Sequence, residues 1–329
     1  MKKVFFSLLL IIIVSTFLNS SLYSQNIKKI TYASTENPTG LLQVFVMDAD
    51  GSNKRQITNM PTNCLRPELA SDGKQLVFQT DDHRIFYIND IDTDTEPYFV
   101  FGGSNPSFTK DNTEIIFNSD HQYISSIYVM APNAPDADLL AMDGYCNQQE
   151  VSPQGNLVLF SGFLGGTKQV YLADLDDSTD NYLKQISDNE DSNLEPDMTD
   201  DGSKIVYAGF DQALKGTIYI YENGVERELT KGMPSCNQPK FSPDGNTIAF
   251  VVIEGTKVNL HVMKDDGSSK TKVPITSGSI GTFEWVDDEK IIYDAGDDNS
   301  FSIGIIDIYS GENKILATGG INVHPHFIK

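Results

Sequence analysis

Seven times along this chain a short cassette recurs: Pro-x-Phe, a turn such as Ser-Pro-Asp-Gly, then two apolar strands. The clearest copy is Gln238-Pro-Lys-Phe-Ser-Pro-Asp-Gly245. The anchor positions are Pro67, Pro106, Gln149, Pro196, Pro239, Phe283 and Pro325, spaced by 39, 43, 47, 43, 44 and 42 residues. A period of about 40–45 residues with four strands per unit is the signature of a β-propeller. The expected fold is all-β: a seven-bladed β-propeller of four-stranded blades.

The strands within each unit read clearly. The second carries Lys29-Ile-Thr-Tyr32, Leu76-Val-Phe78, Ile115-Ile-Phe117, Leu157-Val-Leu-Phe160, Ile205-Val-Tyr207, Ile248-Ala-Phe250 and Ile291-Ile-Tyr293. Runs this apolar and β-branched suit a strand covered on both faces. The third follows the same style, as in Gln43-Val-Phe-Val-Met47 and Leu260-His-Val-Met263. The fourth is more polar: Arg55-Gln-Ile-Thr58, Lys184-Gln-Ile-Ser187, Glu228-Leu-Thr230 and Val273-Pro-Ile-Thr276. That pattern fits an outer edge, where charge and even proline are tolerated. The first unit begins with its second strand, and the missing first strand stands at the other end as His324-Pro-His-Phe-Ile-Lys329. The C-terminal strand is therefore expected to complete the N-terminal blade.

Residues 1–25 read as a secretion signal, with the propeller filling residues 26–329. Lys2 and Lys3 precede an apolar stretch over residues 4–18, too short for the ~20 residues of a spanning helix. No Cys ends the apolar stretch to carry a lipid. Export to the periplasm or beyond is expected, with no membrane insertion after cleavage. The chain carries a net charge of −22, and loss of Lys2 and Lys3 makes it −24. Such acidity opposes binding to nucleic acid, whose phosphates need Lys or Arg, and favours a soluble monomer. Cys64, Cys146 and Cys236 each lie three residues before an anchor in alternate units. Equivalent sites two blades apart exceed the ~7 Å Cα limit of a disulfide, so three free thiols are expected.

The full pattern, Pro239 to Phe250 together with Phe45-Val-Met-Asp-Ala-Asp-Gly51, Ile57-Thr58 and Val262-Met-Lys-Asp-Asp-Gly267, resembles the TolB-type (WD40-like, PD40) propeller repeat. The resemblance covers residues 27–329 and implies an exported binding or scaffold protein. TolB itself has six blades and an extra N-terminal α/β domain, whereas seven anchors here leave no residues for one. The same repeat forms the lid domains of prolyl-oligopeptidase-like peptidases, which need an attached hydrolase domain.

Asp48-Ala-Asp-Gly-Ser52 and Asp265-Asp-Gly-Ser268 hint at calcium loops, but Asn59 stands where an EF-hand needs its last carboxylate. Hairpin turns explain them better. No nucleophile elbow, phosphate loop, dinucleotide glycine pattern or zinc-protease motif occurs. His324 and His326 form the one close histidine pair, on one side of a strand. With Glu195, Gln148 or Gln238 they would make a metal set of the kind some seven-bladed pectate-type lyases carry. That is the alternative reading, a channel-centred polysaccharide lyase or other hydrolase-like enzyme. No catalytic residue, metal or cofactor is expected on the main reading.

Two turn sets repeat Asp-Gly chemistry and look structural. The second-to-third loops and the crossings between units vary, and function tends to sit on such loops. Phe163, Phe210 and Phe301 are apolar residues in otherwise polar loops and are candidate partner contacts. The residue before each anchor forms a polar ring: Arg66, Asn105, Gln148, Glu195, Gln238, Thr282 and His324. A first strand starting at the channel mouth would present this ring to a polar ligand or peptide. The expected function is an exported, non-catalytic module that binds a protein or peptide in the cell envelope.

Overall fold

The computed structural model of the chain describes residues 28–93, 96–109, 111–120, 125–141, 147–151, 157–163, 166–177, 182–275, 277–297 and 299–328. The expected signal sequence and Cys146 lie outside these residues. Among the described residues every regular element is a strand. The strands form seven sheets, each of four antiparallel strands. The seven-bladed propeller is thus the observed fold.

Blade 1 is closed across the length of the chain. Its innermost strand is Asn322–Phe327, followed outward by Lys29–Ser34, Gln43–Asp48 and Arg55–Gln56. Ile30 faces Phe327 and Ser34 faces Asn322 in the shared ladder. Asn322 is fully buried; its carbonyl accepts from Ser34 Oγ at 2.7 Å, and its amide donates to the carbonyls of Phe301 and Gly319. Blades 2 to 7 each use four consecutive strands, as in blade 5 with Ser192–Met198, Lys204–Phe210, Gly216–Glu222 and Val225–Glu228.

One aromatic ring per blade anchors the packing. Tyr32, Phe78, Phe117, Phe160, Tyr207, Phe250 and Tyr293 occupy the same second-strand position, each at 0% exposure. Burying such a ring removes roughly 150–250 Å² from water. The core lies between blades. One cluster joins Val206, Ala208, Ile218 and Ile220 of blade 5 to Cys236, Phe241, Ile248 and Phe250 of blade 6. Cys64 and Cys236 are free, buried thiols.

The outer edge differs in detail from the sequence reading. In blade 6 the fourth strand is Thr271–Lys272, and Val273 follows it, buried in the core. The Ile-Thr signature ends the outer strand. Ile57, Ile186 and Leu229 turn inward and are buried. The next hydroxyl then takes over the ladder: Thr58, Ser187 and Thr230 accept the N–H of Val44, Val170 and Ile218 at 2.8, 2.8 and 2.9 Å. The Asp-Gly pairs are turns, with Gly51, Gly73, Gly202, Gly245 and Gly267 at positive φ. Their aspartates accept backbone N–H groups two residues on, as Asp50 does from Ser52 and Asp244 from Asn246. Asp48 Oδ2 accepts from Asn53 at 2.7 Å. These carboxylates serve the turn, as the hairpin reading requires.

Candidate functional site

The two propeller faces separate as the loop chemistry suggested. First-to-second and third-to-fourth turns share one face, where Lys204 donates both to the Gly245 carbonyl and to Asp265. The second-to-third loops and blade crossings share the other: Gly103 N–H bonds to the His83 carbonyl and Thr35 N–H to Ile321. The innermost strands start at this second face, so their first residues line that mouth of the channel.

Each described innermost strand carries a bulge just inside the mouth. In blade 2 Leu65 faces Gln79 while Glu68 faces Val77, so one extra residue is accommodated. The bulge falls on the ring before the anchors. Arg66, Asn105, Glu195, Gln238 and His324 adopt left-handed φ values of 48, 52, 54, 52 and 54°. A non-glycine residue there costs about 1–2 kcal/mol, less for Asn, and the residue before a proline is restricted further. Such clustered strain is often found at functional sites. Thr282 sits at an equivalent bulge, between Ile280 and Phe283, without positive φ, as its branched Cβ disfavours it. Gln148 occupies the corresponding bulge of blade 4; its side chain lies outside the described residues.

Acceptors from neighbouring strands hold the ring. Asn105 N–H donates to Gln79 Oε1 at 2.6 Å and Gln238 N–H to Glu195 Oε2 at 2.7 Å. Asp294 is 1% exposed and serves two blades. It accepts from Thr282 N–H at 3.0 Å, Thr282 Oγ1 at 2.5 Å and His324 N–H at 2.9 Å. Gly281 makes room for it: a Cβ there would lie 2.0 Å from Asp294 Oδ1. Burial raises the Asp294 carboxyl pKa despite these donors. Burial likewise raises Glu195, with the Gln238 N–H and Lys240 opposing it.

Two residues deeper, the middle residues of six cassettes make a second ring that the sequence reading did not single out; the seventh, Glu150 of blade 4, has its side chain outside the described residues. Glu68 accepts from Phe108 N–H at 2.7 Å and Ser107 Oγ at 3.0 Å. Asp197 accepts from Phe241 N–H at 2.6 Å, and Glu284 from Phe327 N–H at 3.2 Å. Each carboxylate pins the next blade's inner strand. His326 Nδ1 lies 3.3 Å from Glu284. The signal was available in the polar residue alternating with Pro and Phe.

The two histidines therefore have different surroundings. His326 pairs with Glu284, while His324 lies beside Arg66. Burial first, and the Arg66 charge second, lower the His324 pKa to about 4. Glu195 is engaged with Gln238 N–H. Among the described residues no group of three or more His, Cys, Asp or Glu side chains is arranged to hold a metal ion.

The loop phenylalanines share the variable face but differ in exposure. Phe163 is 37% exposed, with Lys168 Nζ 5.4 Å from its ring centroid. Phe210 is half-buried and packs on the core between blades 5 and 6 beside Met233. Phe301 is half-buried, bridges to Ile321 and leans toward Gly281.

Residues 11–207 and 150–328 match the sequence model of the TolB β-propeller domain, PD40. Dipeptidyl-peptidase 5 of Porphyromonas gingivalis is 23% identical over 279 residues, covering 76% of this chain and 40% of that protein. The chain thus spans less than half the length of that relative. TolB from Acinetobacter baumannii aligns in structure with a TM-score of 0.58 and 17% identity, over 92% of this chain and 66% of that one. An oligogalacturonate lyase solved in complex with manganese aligns with a TM-score of 0.68 and 15% identity, over 88% of each chain. At these identities the likeness to the solved structures is one of fold.

Proposed function

The chain belongs to the TolB β-propeller family, and from that premise we propose that it is an exported, non-catalytic module that binds a protein or peptide partner. The binding surface is the loop-rich face together with the channel mouth that opens on it. The observation that carries this reading is the contrast between the two faces. One is tied down by repeated Asp-Gly turns with Asx hydrogen bonds. The other presents loops of unequal length and the exposed Phe163 around a ring of polar side chains. A rigid base with a variable rim is how propellers and other loop-bearing folds commonly present a recognition surface.

The channel carboxylates have a structural part at the mouth. Glu68, Asp197, Glu284, Asp294 and Glu195 each already accept a backbone N–H. At least one oxygen of each is thereby used to hold adjacent blades in register. The likeness in fold to an oligogalacturonate lyase supplies the alternative of a channel-centred enzyme; among the described residues no group of three or more His, Cys, Asp or Glu is arranged to hold a metal ion for it.

The test is affinity capture from the native envelope extract with wild-type protein and a Phe163→Ala, Phe210→Ala, Phe301→Ala variant. The variant is expected to lose the partner retained by wild type while keeping its β-sheet circular dichroism. Equal capture by both would remove these loops from the binding surface.

A further inference from the structure

One corner of the channel mouth has donors and lacks acceptors. Around the ring, the left-handed residues of blades 3, 6 and 1 give their N–H to a side chain of the blade before: Asn105 to Gln79, Gln238 to Glu195 and His324 to Asp294. Arg66 of blade 2 breaks this pattern. The positions that would serve it in blade 1 are Ala33, which has no acceptor, and His324. His324 Nδ1 is buried and has no hydrogen-bond partner. Among the described residues no side chain accepts from Arg66, whether from its N–H or from its guanidinium.

Arg66 is exposed as a residue, yet its guanidinium lies among enough surrounding protein for burial to act on it. Enclosure alone lowers its pKa, with no carboxylate near enough to offset it. An unpaired guanidinium in such a place is unusual in a chain with 46 acidic residues and 24 basic ones. The acceptors that serve the other left-handed residues, Gln79, Glu195 and Asp294, are already engaged by those N–H groups. Asp294, the acid bonded to the neighbouring His324, already receives three hydrogen bonds.

We infer that Arg66 and His324 form a receptor for a ligand carboxylate, which supplies the acceptor this corner of the ring lacks. A planar carboxylate matches the fork of a guanidinium and accepts two N–H bonds from it. The imidazole adds a third donor from Nδ1 once it turns about χ2, because that atom has no exposure to water. The free carboxylate of a peptide terminus entering the channel satisfies this geometry. The inference rests on the reading of the channel mouth as part of the binding face and names the chemistry of its ligand.

The ring itself supplies clean variants. Gln occupies the same left-handed position at 238 and Asn at 105, so Arg66→Gln and His324→Asn keep side chains the bulge accepts. The protein is titrated with N-acetyl-triglycine, with its C-terminal amide, and with galacturonate, while arginine Nε–Hε resonances are followed by NMR. The free acid is expected to shift one arginine resonance that is missing in Arg66→Gln. The amide and the Arg66→Gln protein should each bind roughly tenfold more weakly or worse, the factor for about 1.4 kcal/mol. His324→Asn should weaken the acid by a smaller factor. Galacturonate shifting the same resonance would support the receptor and identify a sugar acid as the source of the carboxylate. Equal titration by acid and amide, undiminished binding by Arg66→Gln, or no response to any carboxylate would overturn it. Partner capture by the phenylalanine variant is a separate readout. It tells failure of the carboxylate receptor from failure of the loop-face reading.

Discussion

His324 ties the ionisation of a single ring residue to stability. Its pKa falls from 6.5 in the unfolded chain to about 4 in the fold, through burial and then the charge of Arg66. Between those values the unfolded chain binds the extra proton, so stability rises with pH. The contribution is complete above pH 6.5 and is lost as pH falls toward 4. At one pKa unit per 1.36 kcal/mol the whole effect is about 3 kcal/mol at most. Glu68, Glu195 and Asp294 act in the opposite sense, since burial raises their pKa values. Their contribution is present at low pH and is lost as pH rises through those raised values. Urea unfolding of His324→Asn across this range, compared with wild type, isolates the histidine. The variant is expected to lose stability less steeply between pH 6.5 and 4. The polar ring was legible because each member precedes an anchor. Its left-handed backbone was not, because Arg, Glu, Gln and His do not advertise positive φ as Gly does. Nor were Gln79 and Asp294 legible as acceptors. Each follows a buried aromatic ring in its strand, and one partner of each comes from the next blade's innermost strand: Asn105 for Gln79 and His324 for Asp294.

At the level of the strand, the closure of blade 1 concentrates stability in a few residues. Phe327 is 1% exposed and packs with Ile30, Tyr32 and Met47 in the cluster between blades 7 and 1. Phe327→Ala should cost about 3–5 kcal/mol, the usual range for emptying a buried phenylalanine site. Denaturant midpoints at constant slope would show it. The closing strand could be read from the sequence because an anchor without a following unit at one end matched a unit without an anchor at the other. The outer strands were less legible. In blade 6 Val273-Pro-Ile reads as a β run, yet the ladder ends at Lys272. The apolar residue there leaves the edge to fill the space between blades. Periodicity alone does not distinguish a residue paired at an edge from one turned under it.

Across the whole molecule, seven sheets share the core, and the acidic excess is spread over one chain of net charge −22. Self-repulsion on that scale opposes the compact state. The ion pairs at the surface, such as half-buried Lys29 with Asp92 and Arg84 with Asp82, offset little of it. Raising potassium chloride from about 0.01 M to about 1 M shortens the Debye length from about 30 Å to about 3 Å. The melting temperature is therefore expected to rise with salt by scanning calorimetry. Chloride is the appropriate anion, because sulfate would strengthen apolar burial independently.

The pairing of Ser34 with Asn322, 288 residues apart, sets an order of events. A ribosome makes the outer three strands of the first blade early and its innermost strand last. Until Asn322–Phe327 emerges, Lys29–Ser34 presents a bare edge of backbone donors and acceptors. Six blades can stack as they are made, but the ring stays an open arc throughout. The growing chain must therefore protect one strand edge until Asn322–Phe327 is made, and that strand decides whether the arc becomes a ring or pairs with another chain.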